Sequence, residues 1–133
     1  ISTGAVYPKD VWQNYFDEMP KYNTSKNDYY GVAQEICKKN GGHLPSANEL
    51  AQIATALYGE TIGDNEYKPD LTMKNKEKVY AALGLTNYPS WFDLWSSVPP
   101  YTNAAYDRHF HSNITSWNYP TRSYEPPRVV CME

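Results

Sequence analysis

Cys37-Lys38-Lys39-Asn40-Gly41-Gly42-His43-Leu44-Pro45-Ser46-Ala47-Asn48-Glu49-Leu50 carries the end of one helix and the beginning of the next. Lys38 and Lys39 suit a last helical turn, where cations meet the negative end of the dipole. Asn40-Gly41-Gly42 is a stop, because glycine accepts the left-handed conformation that closes a helix. Ser46 and Glu49 then stand at the spacing of a reciprocal capping box, in which each side chain satisfies the other residue's backbone N–H. A helix follows at once, with Leu50, Ile53, Ala54 and Leu57 along one face and Gly59 at its end. Working back from the stop, Asn27 or Asp28 can cap a first helix that begins at Tyr29 and turns Val32, Ala33, Ile36 and Cys37 to one side.

Outward from this stretch the pattern changes twice. Residues 60–71 are polar and irregular, and 74–83 make a weaker third helix that carries Val79 and Leu83 and stops at Gly84. From Ser90 the chain reads as extended, with Trp91, Phe92, Leu94 and Trp95 leading into Ser96-Ser97. Residues 105–110 and 114–119 flank His111-Ser112-Asn113, a hairpin connection by length and residue type. In a last strand, 128–132, alternation points Val129 and Cys131 one way and Val130 and Met132 the other. That strand is expected to be buried on both sides and central in its sheet. The sum is one α+β domain over 1–133: an N-terminal extension 1–26, a helical half 27–84, and a strand and loop half 90–133. Two to three helices pack on short antiparallel strands, and the termini lie close together.

A chain of 133 residues that is 41% hydrophobic fills one core and leaves no room for a second domain. A net charge of −3 without a lysine and arginine stripe argues against nucleic acid as a partner. No apolar stretch approaches the length needed to span a bilayer, and no signal-peptide pattern follows Ile1, so a leader or anchor removed earlier would leave no trace. Cys37 and Cys131 are the only cysteines. Paired, they would close a loop over most of the chain, stabilise the fold by roughly 4 to 5 kcal/mol and indicate an oxidising compartment; two buried thiols are the alternative.

The run from Cys37 to Leu50 resembles the C-x-x-x-G-G-x-L-P-[ST]-x-x-E-L signature of bacterial surface domains with the C-type-lectin-like fold. Trp95-Ser96-Ser97, then Ala105 and Phe110, then Val129-Val130-Cys131, resemble that family's W-S-S, A-x-x-x-x-F and V-x-C ending, so the likeness covers about residues 29 to 132. The family includes C-terminal domains of collagen-like adhesins, pilin-like tip proteins and variable proteins diversified by retroelements. The resemblance implies a Cys37–Cys131 disulfide.

Four kinds of chemistry can be weighed against the residues. Calcium-dependent sugar binding in this fold uses an E-P-N and a W-N-D triplet. Here Trp117-Asn118-Tyr119 and Glu125-Pro126-Pro127 come in the reverse order, without the aspartate and with proline for asparagine, so no calcium site is expected. His109 and His111 share one face of a strand with Asp107, yet no third metal ligand is evident beyond Asp107, and three alternating polar residues read as a solvent-facing strand; no metal and no cofactor is expected. His43 is isolated and is expected to pack at the helix junction. Ser96 or Ser97 with His109 and Asp107 has the residue types of a nucleophilic enzyme but lacks a nucleophile elbow, so no enzyme is expected. The sequons Asn23-Thr24-Ser25 and Asn113-Ile114-Thr115 matter only where a glycosylation pathway exists.

The stretch from Val98 to Pro127 has the composition of a recognition surface. Tyr101, Tyr106, Trp117, Tyr119 and Tyr124 supply rigid aromatic area. Asn103, Asp107, Arg108, His109, His111, Asn113 and Asn118 supply polar contacts, with Thr102, Ser112 and Arg122 among them. Long polar loops around a tyrosine-walled core would collect the same residues. These residues are taken as the contact face of an extracellular or cell-surface ligand-binding domain, an adhesin or receptor-binding display, whose partner is a protein or glycan on another cell or surface. Asn-codon-derived residue types abound after Ser97, which would suit a retroelement-diversified cassette. The alternative is the structural head of a pilin-like surface assembly protein.

Overall fold

The structure, a computed structural model, describes residues 2–6, 28–39, 41–83, 90–101, 103–124 and 127–132. In chain order these form β1 (Ser2–Val6), α1 (Tyr29–Lys39), α2 (Ala47–Tyr58), β2 (Glu66–Tyr67), α3 (Lys76–Leu83), β3 (Trp91–Trp95), β4 (Asp107–His111), β5 (Ile114–Asn118) and β6 (Val130–Met132). Among the described residues the architecture is α+β, with three helices, a four-stranded antiparallel sheet in the order β2-β5-β4-β3, and a separate pair β1-β6. Among the described residues no helix is long and apolar enough to cross a membrane. Of the sequence expectations, Asn23, Asn27, Asn40, Gly84, Thr102 and Glu125-Pro126 lie outside the described residues, as does the extension 1–26 apart from residues 2–6.

Local chemistry sets the helix ends. The Asp28 carboxylate accepts the Gly31 N–H at 3.0 Å and caps α1. At the other end the Gly42 N–H donates to the Cys37 carbonyl and the Gly41 N–H to Lys38, the two crossed bonds of a Schellman stop, with Gly41 at φ 77°. The neighbouring Gly42 is required by close approach: a Cβ there would run into the Met132 carbonyl oxygen of β6. The Ser46–Glu49 capping box is formed in both directions, at 3.1 and 2.9 Å. At the C-terminus of α2, Asn75 donates from its side chain to the Ala56 carbonyl and from its backbone to Leu57.

Two cores lie on either side of the strands. Leu50, Ile53 and Leu57 of α2 and Tyr80 and Leu83 of α3 cover Phe92, Leu94 and Phe110, with the Phe92 and Phe110 rings stacked 4.8 Å apart. On the other side Tyr30, Val32, Ala33, Ile36 and Cys37 of α1 pack on Trp95, Ala105 and Val129, with Tyr30 edge-on to Trp95 at 5.4 Å. β6 passes between them: Val130 and Met132 belong to the first core, Val129 and Cys131 to the second. That is the division its alternation predicts. A Cys37–Cys131 disulfide fastens α1 to β6.

The sequence reading needs three corrections here. The last strand is not central in one large sheet; it pairs with β1 and bridges His43, and only Arg128, just before it, bridges Leu94 of β3. Residues 2–6, placed in an extension, are an integral strand whose pairing of Ser2 with Met132 sets the first and last described strands side by side. His43 does lie between α1 and α2, but it is neither isolated nor buried there. Its side chain is half exposed and its Nε2 meets Glu49 Oε1 at 2.8 Å.

Candidate functional site

The four-stranded sheet decides which of the candidate residues can act together. Cross-strand register puts Trp91, His111 and Ile114 in one row, Asp93, His109 and Ser116 in the next, and Trp95, Asp107 and Asn118 in a third, all on one face. Arg108, Phe110, Thr115 and Trp117 point to the opposite face. The single contact surface expected over 98–127 is therefore two surfaces separated by the thickness of the sheet.

On the first face the rows form an open groove of about 440 Å³, lined by Trp91, Asp93, His109, His111, Ser116 and Asn118 with Tyr124 reaching in from the following loop. His109 Nδ1 lies 2.6 Å from Asp93 Oδ1. Asp93 is only 3% exposed; burial raises its pKa, and the bond to His109 opposes that rise without cancelling it. The His109 ring is flanked by Trp91 at 5.7 Å and His111 at 6.1 Å.

Asp107, one row inward, does not fit a solvent-facing strand. It is fully buried and neither carboxylate oxygen has a hydrogen-bond partner. Burial, followed by the negative charge of Asp93, pushes its pKa up to about 7; the Asn118 amide across the strand pair offsets part of this without reaching hydrogen-bond geometry. The indole N–H of Trp95, the register partner of Asp107 on β3, is also without a partner. Tyr124 stands near both acids, since its phenol pKa is raised first by partial burial and then by Asp93 and Asp107. Its loop is fixed by Arg122, which binds the Asp28 carboxylate through two bonds of 2.9 and 2.8 Å and lies 5.1 Å over the Tyr30 ring. Arg122 thus joins the loop to the cap of α1.

On the opposite face four rings make a continuous cluster. Tyr101 meets Tyr119 edge-on at 5.1 Å, Tyr119 lies 4.6 Å from Tyr106, and Tyr106 is edge-on to Trp117 at 6.1 Å. Tyr101 and Tyr119 are 61% and 44% exposed. Arg108 backs this cluster from within: it is buried, donates to Thr115 Oγ1 at 2.9 Å and to Asp64 at 2.8 Å, and lies 5.1 Å over the Trp117 ring. Its guanidinium is occupied by these neighbours and is not part of the exposed surface. Asn103 is exposed in a loop, and its carbonyl accepts the Arg122 N–H. Asn113 sits in the two-residue turn between β4 and β5, and its carbonyl accepts the Lys68 N–H.

The serine, histidine and aspartate considered for nucleophilic chemistry are not assembled as one relay. The Ser96 hydroxyl is buried and donates to the Tyr106 carbonyl, Ser97 is exposed with its N–H on Pro45, and the carboxylate that holds His109 is Asp93 instead of Asp107. Among the described residues no three histidine, cysteine or acidic side chains are grouped to hold a metal ion. Asp93, Trp91 and Ser116 are the members of the groove that sequence reasoning missed. The available clue was Asp93, a lone carboxylate inside the apolar run Trp91-Phe92-Asp93-Leu94-Trp95. Comparison with known protein families, with curated proteins and with solved structures returns no match.

Proposed function

We propose that this chain is an extracellular ligand-binding domain of the C-type-lectin-like kind, serving as an adhesin or receptor-binding display that engages a protein or glycan on another surface. The observation that carries this reading is the Tyr101–Tyr119–Tyr106 cluster, whose Tyr101 and Tyr119 rings are exposed while Trp117 and the buried Arg108 brace it from behind. Rigid rings held in this way offer contact area at small entropic cost, which suits the hydrophobic face of a sugar as well as a protein hot spot. The disulfide between α1 and β6 supports an oxidising, extracellular setting. It also supports the lectin-like reading, because it joins the motif ending at Leu50 to the V-x-C segment. A retroelement-diversified cassette over 98–127 would vary both faces of the sheet, since alternate residues of β4 and β5 point to each.

The test is a glycan and protein array probed with the native domain and with a Tyr101→Ala/Tyr119→Ala variant. Both residues are exposed, so the variant keeps its fold. Loss of the native signals is expected, each ring contributing roughly 1 to 4 kcal/mol if it is a hot spot. Equal signals from both proteins would refute the placement of the contact surface.

A further inference from the structure

The groove on the other face of the sheet has a charge arrangement that the tyrosine cluster does not explain. One carboxylate, Asp93 on β3, lines it, and a second, Asp107 on β4, lies buried one row away on the same face of the sheet. Asp93 shares His109, whereas Asp107 has nothing, and among the described residues its two oxygens are the only buried carboxylate oxygens without a partner. Among the described residues no lysine or arginine side chain lines the groove. A desolvated carboxylate with no counter-charge is costly, and the cost falls when a cation is brought near it, even without direct contact. The walls suit a cation as well. Trp91 is 44% and Tyr124 39% exposed, and both ring faces attract positive charge. An anion would meet the Asp93 carboxylate with Asp107 behind it and is disfavoured.

We propose that this groove binds a cationic group, an alkylammonium or guanidinium of the kind that a lysine or arginine side chain of a partner protein presents. Trp91 and Tyr124 would flank the cation, Asp93 and Asp107 would supply the opposing charge, and Ser116 and Asn118 would accept its remaining hydrogen bonds. The site is distinct from the aromatic cluster and is separated from it by the sheet, so the two can fail independently. Recognition should depend on pH. The titratable groups lining the groove are Asp93 from β3, His109 and His111 from β4, and Tyr124 from the loop, with Asp107 of β4 one row away; β5 contributes only the neutral Ser116 and Asn118. Acidification neutralises the carboxylates, and that change opposes a bound cation.

The test is a two-dimensional NMR titration of the domain with capped lysine (Nα-acetyl-lysine methylamide), capped arginine, n-butylamine and, as a neutral shape control, capped norleucine. Saturable shifts at the Trp91 indole N–H and at His109 are expected with the cations and not with norleucine. Binding should weaken by about tenfold between about pH 8 and about pH 5, and by at least about fivefold in Asp107→Asn, a near-isosteric change whose fold the same spectra report. A response to n-butylamine equal to that of capped lysine would still support the cation site, with a free amine as sufficient ligand. Capped norleucine matching capped lysine, an unchanged affinity in Asp107→Asn, or shifts produced by calcium or zinc salts while the amines give none would each overturn the proposal. A Tyr101→Ala/Tyr119→Ala variant should respond to capped lysine as the native domain does.

Discussion

Asp107 and Arg108 are neighbours on β4, both almost completely buried, and they point to opposite faces of the same sheet. Arg108 is compensated by the Thr115 hydroxyl, the Asp64 carboxylate and the Trp117 ring, and its face is otherwise sealed by Phe92, Leu94 and Phe110 under α2 and α3. Asp107 meets no partner, and its face is half covered by α1 and half open as a groove. The contrast shows that burial alone does not distinguish a structural charge from a functional one. What distinguishes them is whether the fold provides the counter-charge.

The comparison can be broken or sharpened by measurement. Removing the disulfide with Cys37→Ala/Cys131→Ala should cost roughly 4 to 5 kcal/mol in urea unfolding, because the bridge fixes α1 over the open side of the sheet and closes a 94-residue separation. Phe110→Ala, on the sealed face, should cost about 3 to 5 kcal/mol in the same assay. If instead it cost less than His109→Ala on the open face, the assignment of the two faces would be wrong. Asp107→Asn should move stability the other way. The folded carboxyl keeps its proton up to about pH 7 while the unfolded one releases it near 3.8. The native state therefore holds more protons between these values, and stability present below about pH 4 is lost as pH rises to 7. The substitution should thus stabilise the fold by about 2 to 4 kcal/mol near pH 8 and by little near pH 4, read from melting curves at the two conditions. Asp64→Asn should have the smallest effect, below about 1 kcal/mol, since Asp64 is 66% exposed, the asparagine keeps an Oδ1 that can accept from Arg108, and Thr115 and the Trp117 ring still hold the guanidinium.

What the sequence made legible was local. The capping box at Ser46 and Glu49, the glycine stop after Lys39 and the alternation of Val129 to Met132 depend on contacts a few residues apart, and each is found in the structure. The third helix begins at Lys76, two residues later than the spacing from Lys74 suggested. Strand pairing was harder to read. β2 is only Glu66–Tyr67, too short to show a period, and it is defined by its partner β5. Arg108 was taken for a surface residue because its type favours water; it is buried because Asp64, 44 positions away, provides its counter-ion. The candidate surface was read as one ribbon because composition ignores direction, whereas the two-residue period of β4 and β5 sends half of it to each side. Asp93 escaped notice for the same reason, as its meaning depends on His109 across the strand pair.

The central claim is that the fold leaves Asp107 uncompensated on an open, ionisable face. It is tested most directly by following the Asp107 side-chain carboxyl carbon by NMR as pH is varied. The account predicts a titration midpoint near 7. A midpoint close to the ordinary aspartate value of about 4 would mean that the carboxylate is solvated or paired, and the account would fail.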